Sequence, residues 1–570
     1  MSCLNTCYNK VKSRIQSWAN NREFVPQTLR KLVFGNLITI TIAEAAAYRI
    51  IIQDVRTGNL PHYMPYLLLT LFAMLEAIAA PIVGWLGYRN RRRMLLGWSW
   101  GLFFICFTLF FIPSPTQLDE SELCSSTKNT IIKYTGVSAV TAVRLSIVLF
   151  TATCFLLTRV ATWSHYLAYT DEYAPERSSV HVGILVISRI IPGIFGFKML
   201  TVVLEKSIII NAVILTMPLI VQNVQMHFAI PSSSPEVGGV AKASPSLDDR
   251  DFFTSLRRVL FNFIAMSQMV ALGLMAAAFF GFSYHEAALV HTRYNIVPGT
   301  ETVTHFPEFF RYIPAILGVV YVGVKHSVPI LPEFDFFRGV KHIIKMTVIA
   351  FVMYIVVVSV PSCSKGQLAG LDGTYQTPIC SSSCGCVPSW NAFSPVCVVD
   401  TMTTFASPCE AGCTTLEDQH GISVYTNCSC AATSGRAVAG ACGDHECQPA
   451  YQLHLTLYSI IVAVSALAFQ TQIMMILKSV DPRDKSIAIG MMWAMIATVA
   501  YVFGNSIFYA ITSKACHWFT WKKCQLYNEH FPYMVGFTCA SFVFISLLVN
   551  LASLGYLKTK FKCDSRNAVN

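Results

Sequence analysis

The chain contains a cysteine-rich stretch that reads, in order, Cys380-Ser-Ser-Ser-Cys384-Gly-Cys386, Pro395-Val-Cys397, Ser407-Pro-Cys409-Glu-Ala-Gly-Cys413, Tyr425-Thr-Asn-Cys428-Ser-Cys430 and Gly440-Ala-Cys442. Counted from Cys363 to Cys447, it holds eleven of the twenty cysteines. Apolar runs long enough to cross a bilayer lie on both sides, ending near Val360 and beginning near Leu453. Because disulfides persist in oxidising compartments, we expect a disulfide-bonded module outside the cell, held between two membrane spans.

The composition of the whole chain is that of a membrane protein. It is 54% hydrophobic and 13% charged, about half the charged fraction of soluble domains. Repeated apolar runs of about twenty residues indicate transmembrane helices. The sequence predicts an all-α membrane protein with twelve transmembrane helices, near 32–52, 64–86, 94–113, 145–167, 180–202, 207–224, 259–283, 306–324, 341–360, 453–477, 485–511 and 533–556.

Charge predicts the orientation of these spans. With the amino terminus inside, the cytoplasmic segments carry more than twice as many Lys and Arg residues as the outer segments. The positive-inside rule then places both termini in the cytoplasm and the cysteine-rich stretch outside. The net charge of +11 requires no nucleic-acid partner, because a basic inner face meets the anionic head groups of the lipid bilayer.

Six spans precede a polar linker and six follow it, which is the layout of the major facilitator superfamily fold (6+6). The linker lacks apolar periodicity and is predicted to be a flexible loop. The predicted segments are the cytoplasmic amino terminus 1–31, the first six-helix half 32–224, the cytoplasmic linker 225–258, spans seven to nine 259–360, the extracellular domain 361–450, spans ten to twelve 451–557 and the cytoplasmic tail 558–570.

Many turn residues and few aliphatic ones describe a module held by disulfides rather than by a core. A zinc cluster that includes Cys428 and Cys430 is the alternative. An oxidising compartment and the lack of paired CxxC knuckles argue against it, so no metal is predicted. Asn427 begins the sequence Asn-Cys-Ser, so we predict that it is glycosylated.

The module's segments, in this order between spans nine and ten, resemble the Kazal-like loop of the organic anion transporting polypeptides. That loop has ten cysteines, and the resemblance implies ten in disulfides: Cys380, Cys384, Cys386, Cys397, Cys409, Cys413, Cys428, Cys430, Cys442 and Cys447. Cys363 is left over, and Cys124 is alone in its outer loop, so we predict that these two pair. In the last outer loop, which also resembles the family, Cys516 is predicted to pair with Cys524.

Two further stretches resemble the same family, 169–184 after span four and 478–490 before span eleven. The family's Trp-x-Gly-Ala-Trp-Trp signature entering span six is absent, and the loop there is only Glu205-Lys206. This absence keeps an alternative open, a transport-impaired membrane protein that acts through its extracellular module in protein binding or regulation. A membrane-tethered protease inhibitor is another, because Kazal modules block serine proteases.

Ionisable side chains within spans should face protein or a water-filled cavity, because burying them in hydrocarbon is costly. Arg159, Trp163 and Tyr166 share one face of span four. A cation beside two aromatic rings would fit an amphipathic organic anion, so we predict substrate binding there. The alternative is an arginine near the inner interface with belt aromatics.

Four more residues complete the predicted substrate site. Arg189 in span five precedes Pro192-Gly193, which can open the helix towards a cavity. The others are Glu44 and Tyr48 in span one and Glu76 in span two. A structural ion pair of Arg189 with Glu44 or Glu76 is the alternative, and Glu44 could also bind a coupling proton.

The resemblance implies sodium-independent transport of large amphipathic organic anions across the plasma membrane by alternating access, as exchange against an intracellular anion. The chain has no Walker loop, no nucleotide fingerprint and no nucleophile–base constellation. We therefore predict that it is not an enzyme and needs no cofactor.

Overall fold

A computed structural model gives the structure of residues 63–89, 123–124, 139–173, 178–194, 251–294, 312–325, 335–362, 368–372, 374–384, 386, 394–419, 422–442, 447–519 and 524–567. Helices make up most of these residues. They are α1 (Met64–Arg89), α2 (Ala139–Tyr173), α3 (Ser178–Ile194), α4 (Phe252–Leu260), α5 (Phe263–Tyr294), α6 (Ile313–Lys325), α7 (Phe336–Ser359), α8 (Gln448–Ser479), α9 (Lys485–Ile496), α10 (Asn505–Lys514) and α11 (Phe531–Asn567).

Six helical stretches within the described residues are long and apolar enough to cross a membrane: Tyr66–Leu86, Phe263–Tyr294, Phe336–Ser359, Pro449–Ser479, Pro482–Lys514 and Phe531–Lys560. Each coincides with a predicted span. Helices α2, α3 and α6 cover much of the predicted spans 145–167, 180–202 and 306–324. The predicted spans 32–52, 94–113 and 207–224 lie outside the described residues.

Helices α9 and α10 form one continuous span, joined by a π-helical segment at Ala497–Gly504. Such segments occur mostly within α-helices and often at functional sites. Directly after it, Asn505 Nδ2 donates to the carbonyl oxygen of Tyr66 and to Thr70 Oγ1, both at 2.9 Å. These two hydrogen bonds fasten the start of α10 to α1.

Buried polar side chains join α5 to α11. Gln268 Nε2 donates to Asn550 Oδ1 at 3.2 Å, and Ser553 Oγ donates to Ser267 Oγ at 2.8 Å. Lipid tails are as apolar as the helices, so the hydrophobic effect does not drive membrane helices together. Hydrogen bonds of this kind hold them together instead.

The sequence predicted that the linker 225–258 is a flexible loop, but its last residues are helical. Helix α4 begins at Phe252, inside that range. Phe252, Leu256 and Val259 follow helical spacing and pack against the bundle, so a short apolar face was present that the sequence analysis had not recognised.

Between α7 and α8 lies the disulfide-bonded module. Its strands are β1 (Leu371–Asp372), β2 (Thr374–Tyr375), β3 (Val396–Val398), β4 (Thr403–Phe405), β5 (Thr415–Gln419), β6 (Ile422–Thr426) and β7 (Arg436–Ala439). Strands β3 to β7 form one antiparallel sheet in the order β4-β3-β7-β6-β5. Its small core contains Val396, Val398 and Phe405, so cross-links supply the rigidity that apolar burial cannot.

Among the described residues of the module, four disulfides join Cys380 to Cys430, Cys386 to Cys409, Cys397 to Cys442 and Cys413 to Cys428. Cys447 is also disulfide-bonded. The zinc alternative is wrong, because Cys428 and Cys430 are both oxidised. Asn427 is exposed and has a left-handed backbone, with φ of 54°, and its glycosylation stays a prediction.

The prediction that Cys124 pairs with Cys363 is wrong. Cys124 is bonded to Cys384, and Cys363 lies outside the described residues. The backbone explains the choice, because the Cys124 N–H donates to the carbonyl oxygen of Cys413 at 2.8 Å. That bond lays the Cys124 segment against the module next to Cys384.

The loop before α11 is a hairpin of β8 (Cys516–Phe519) and β9 (Cys524–Tyr527). A disulfide joins Cys516 to Cys524, the pair that the sequence predicted. The hairpin lies at the same end of the bundle as the module, which begins where α7 ends and finishes where α8 begins. We call the opposite end of the bundle the distal end. There α1 and α2 finish and α3 and α9 begin.

Candidate functional site

Arg159 of α2 forms a buried ion pair with Glu76 of α1. The two side chains are 2% and 3% exposed. Because an arginine in a protein stays protonated, a buried guanidinium needs hydrogen-bond acceptors beside it, and a carboxylate also balances its charge. The pair therefore places one permanent positive charge inside the bundle, balanced by one negative charge on a neighbouring helix.

Aromatic rings form the wall beside this pair. The Arg159 guanidinium carbon lies 4.7 Å from the centroid of the Trp493 ring on α9. Trp163, one turn along α2, meets Trp493 edge to face at 5.3 Å between centroids. A cation over an aromatic face is attracted by the ring quadrupole, more strongly when water is excluded. We call Arg159, Glu76, Trp163 and Trp493 the central cluster.

Glycines allow α1 and α9 to come close enough to build the central cluster. A Cβ atom at Gly84 would lie 2.6 Å from the carbonyl oxygen of Ser486, and one at Gly490 would overlap the carbonyl oxygen of Ala80. Ser486 Oγ donates to the carbonyl oxygen of Gly84 at 2.8 Å. Small residues and backbone hydrogen bonds are the usual means by which membrane helices approach closely.

His165 fastens α2 to the same place. Its Nε2 lies 2.9 Å from the carbonyl oxygen of Val83 on α1 and donates to it. Because the carbonyl oxygen can only accept, the ring must carry its proton on Nε2. Helices α1, α2 and α9 thus meet along a seam that runs from the central cluster to the distal end.

At the distal end a buried carboxylate joins four helices. Asp171 of α2 accepts hydrogen bonds from Lys478 Nζ of α8 at 2.6 Å, from Lys485 Nζ of α9 and from Ser178 Oγ of α3. Asp171 is 1% exposed, whereas the two lysine side chains are 19% and 11% exposed. Two cations around one buried anion leave a net positive charge that reaches solvent along the lysines.

Asp171 lies beyond the predicted span 145–167. Burial alone would raise the pKa of its carboxyl group, but the hydrogen bonds from Lys478, Lys485 and Ser178 outweigh burial and hold the pKa below its usual range. The carboxylate is therefore ionised at neutral pH, and the contact between α2 and the pair α8–α9 is ionic.

A second ion pair adjoins the first. Arg258 of α4 binds Asp484 with both arms of the guanidinium, Nε to Oδ2 at 2.8 Å and Nη2 to Oδ1 at 2.9 Å. Asp484 is followed directly by Lys485, so adjacent residues of the chain contribute to the two ion pairs. We call Asp171, Lys478, Lys485, Asp484 and Arg258 the distal latch.

The predicted substrate site is only partly within the described residues. Arg159, Trp163, Tyr166 and Glu76 are all buried, and the structure brings Arg159, Glu76 and Trp163 together. The helix that contains Arg189 is described but the residue's side chain is not, and Glu44 and Tyr48 lie outside the described residues. Arg159 is buried, so it is not an exposed arginine at the inner interface. In this conformation its guanidinium is paired with Glu76.

Sequence reasoning missed Trp493 and the distal latch. The stretches 169–184 and 478–490 had been noted for their family resemblance, yet no role was given to their charged residues. The signal that could have found the latch is the unusual density of Asp, Lys and Arg beside spans four and eleven. Arg258 had no such signal, because it lies in the linker.

Comparisons with known proteins identify the family of the chain. The family model described as "Organic Anion Transporter Polypeptide (OATP) family" matches residues 231–530, more than half of the chain. The chain belongs to the Organic Anion Transporter Polypeptide family. This confirms the family prediction, and the relatives that the chain matches are named as transporters, not as enzymes.

Several curated proteins are similar to this OATP-family chain. "Solute carrier organic anion transporter family member 2B1" of Mus musculus is 30% identical over 168 residues, 27% of this chain and 24% of the relative. Member 74D of Drosophila melanogaster is 24% identical over 319 residues, 53% of this chain and 37% of the relative. Member 1B1 of Homo sapiens is 25% identical over 350 residues, which are 56% of this chain and 48% of the relative. The chain thus matches less than half the length of each of these relatives.

One solved structure is also similar in shape, the crystal structure of the human organic anion transporter MFSD10 (TETRAN). The likeness has a TM-score of 0.49 at 10% identity and covers 92% of this chain and 99% of that chain. Family membership and the apolar helices together identify the OATP-family chain as a multi-pass membrane protein.

Proposed function

We propose that this OATP-family protein moves organic anions across the membrane by alternating access, in a twelve-span major facilitator fold. The observation that carries the proposal is the central cluster. It holds Arg159, a permanent cation, buried between the Glu76 carboxylate and the Trp493 ring. Membership of a family whose relatives are named organic anion transporters supports the same function.

In this proposal the transported anion competes with Glu76 for the Arg159 guanidinium. A planar guanidinium offers paired N–H donors that match a carboxylate, sulfate or phosphate group. The rings of Trp163 and Trp493 would then contact the apolar body of the same molecule. A substrate with one anionic end and a ring system meets both requirements, which is why we expect large amphipathic anions.

The distal latch would be the gate of the transport cycle. Its ionic contacts join α2 and α3 to α8 and α9, so opening the distal end must break them. The family resemblance implies transport without sodium and exchange against an intracellular anion, and we include both in the proposal. In this scheme the distal end faces the cytoplasm with both termini, and the membrane is the plasma membrane.

The test is uptake of a fluorescent organic anion into proteoliposomes. The wild-type protein should show saturable uptake, and Arg159→Gln should lower it more than tenfold. The neutral double variant Glu76→Gln/Arg159→Gln should fold as well as the wild type and stay inactive. If the double variant recovers transport, the pair is structural and Arg159 does not bind substrate.

A matched control is available within the chain. Arg293 of α5 is equally buried, but Nη1 donates to the backbone carbonyl of Val357 at 2.7 Å near the module end of the bundle. Arg293→Gln removes a buried cation from outside the central cluster. It should lower stability while leaving the KM for the anion unchanged.

A second candidate function is protein recognition by the module, with transport lost. Exposed apolar side chains on the module favour it, since Ile379 is 92% exposed and Val399 and Met402 are each 56% exposed. The same assay separates the two, because this function predicts no saturable uptake by folded wild-type protein.

A further inference from the structure

Helix α4 has an exposed face that combines aromatic rings with a cation. Phe253 and Arg257 of α4 and Phe261, the residue that caps its end, follow one another at four-residue spacing and therefore lie on one side. Phe253 is 73% exposed and Phe261 is 79% exposed. The Arg257 guanidinium carbon lies 5.6 Å from the centroid of the Phe261 ring.

The opposite face of α4 is fixed to the bundle. Ser255 and Val259 are buried, and the Phe252 ring meets Trp85 of α1 edge to face at 5.6 Å between centroids. Arg258 on this side binds Asp484 of the distal latch. The helix therefore cannot rotate to bury Phe253 and Phe261 without breaking these contacts.

The exposed rings continue the exposed apolar surface of the long apolar helices. Helix α5 begins at Phe263, and the Phe263 ring lies 4.7 Å from that of Tyr556 on α11. Phe263 is 44% exposed and Tyr556 is 41% exposed. Aromatic rings at the end of a span are typical of the membrane–water interface. Lys560 lies one turn beyond Tyr556 on α11 and is exposed, so a cation lies on the same side of the helix.

We propose that α4 lies in the bilayer interface, with Phe253 and Phe261 inserted among the acyl chains and Arg257 bound to the phosphate of an anionic phospholipid. An apolar face flanked by basic residues is the composition of helices that bind anionic membranes. Lipid binding would hold α4 in place and so stabilise the distal latch, because Arg257 and Arg258 are neighbours on one short helix. This inference does not depend on what the protein transports.

Hydrogen–deuterium exchange on the full chain tests the proposal. The protein is placed in nanodiscs of phosphatidylcholine, with and without added phosphatidylserine. For wild-type protein, peptides covering 251–263 and the latch segment 481–490 should exchange about fivefold more slowly with phosphatidylserine, the factor expected for one arginine near an anionic surface. Added salt should reduce the difference.

Two variants and a control make the result decisive. Arg257→Gln should remove the lipid effect from both peptides. Arg258→Gln should keep it at 251–263 and remove it at 481–490. The control is Arg338→Gln, which removes an exposed arginine at the distal end of α7 and should change nothing. Equal exchange in both lipids, or an equal loss in the Arg338 control, would overturn the proposal.

Discussion

Cys124 is disulfide-bonded to Cys384, 260 positions later in the chain, with 4.8 Å between their Cα atoms. The bond ties a segment that precedes α2 to the module that follows α7. Because the module is continuous with α7 and α8, this cross-link holds the segment before α2 at the module end of the bundle.

We predict that Cys124→Ser leaves Cys384 as a free thiol and lowers the stability of the module. A disulfide that closes a long loop contributes about 2–4 kcal/mol. Peptide mapping after maleimide labelling of the unreduced protein would detect the thiol. Cys516→Ser is the control, because its partner is Cys524 and Cys384 should stay oxidised. A Cys124–Cys363 peptide from the wild type would refute the pairing.

The Arg159–Glu76 ion pair should show strong coupling in a double-mutant cycle. Removing one partner leaves the other charge buried and uncompensated, which costs about 3–5 kcal/mol, whereas removing both can be nearly neutral. We expect Arg159→Gln and Glu76→Gln each to lower the free energy of unfolding in mixed micelles by this amount. The double variant should lose much less than the sum of the two. Additive losses would show that the two side chains do not interact.

Gly490→Ala should push α1 and α9 apart. The new methyl group would overlap the carbonyl oxygen of Ala80, which is backbone and cannot rotate away. Overpacking of this kind costs about 1–3 kcal/mol. Gly555→Ala on α11 is the matched control, because nothing lies within 4 Å of its Cβ position and alanine is the better helix former. Thermal unfolding of both variants measures the difference, and equal unfolding temperatures would contradict the close approach.

Much of this architecture was visible in the sequence because it depends on local patterns. Apolar runs of spanning length predicted the long helices, and cysteine density predicted the module. Arg159 and Trp163 could be placed together by helical spacing, because both lie on α2. Cys516 and Cys524 are separated by 8 positions, close enough for a hairpin to bring them together.

The rest depends on contacts between distant parts of the chain. Asp171 binds Lys478 and Lys485 across 307 and 314 positions, and no spacing rule connects them. The same is true of Arg159 and Glu76, which are 83 positions apart on different helices. Helix α4 was missed because its apolar face is short and its neighbours in the linker are polar.

Asp400 in the module should titrate at unusually low pH. Hydrogen bonds from the Thr433 side chain and from the backbone and side chain of Ser434 lower its pKa from 3.8 to about 2. Because the pKa of the carboxyl group is lower in the folded state than in the unfolded state, its contribution to stability is complete above pH 3.8. That contribution disappears as the pH falls through about 2. Carboxyl NMR on isotope-labelled protein should follow this titration. The Asp400 signal is assigned as the one that is missing from the Asp400→Asn variant. Ser434→Ala should move the pKa back towards 3.8, and an unmoved pKa would contradict the proposed cause.

Asp171→Asn keeps the size of the side chain but removes the negative charge between Lys478 and Lys485. The two lysines then repel each other beside a buried amide, so we expect the distal end to open and the free energy of unfolding to fall by about 3–5 kcal/mol. Asp335→Asn is the matched control. It breaks an exposed pair with Arg338 at the same end, where such pairs contribute about 0–1 kcal/mol.

Opening can be read separately from stability by labelling a buried position beside the latch. Ala168 on α2 is 1% exposed, so Ala168→Cys should react slowly with a polar maleimide in the wild-type background. The thiol should react several times faster when Asp171→Asn is added, because the ionic contacts that close the distal end are lost. It should not react faster when Asp335→Asn is added. Equal labelling in all three backgrounds would mean that Asp171 supports the fold without closing the distal end, and the gate would then have to lie elsewhere.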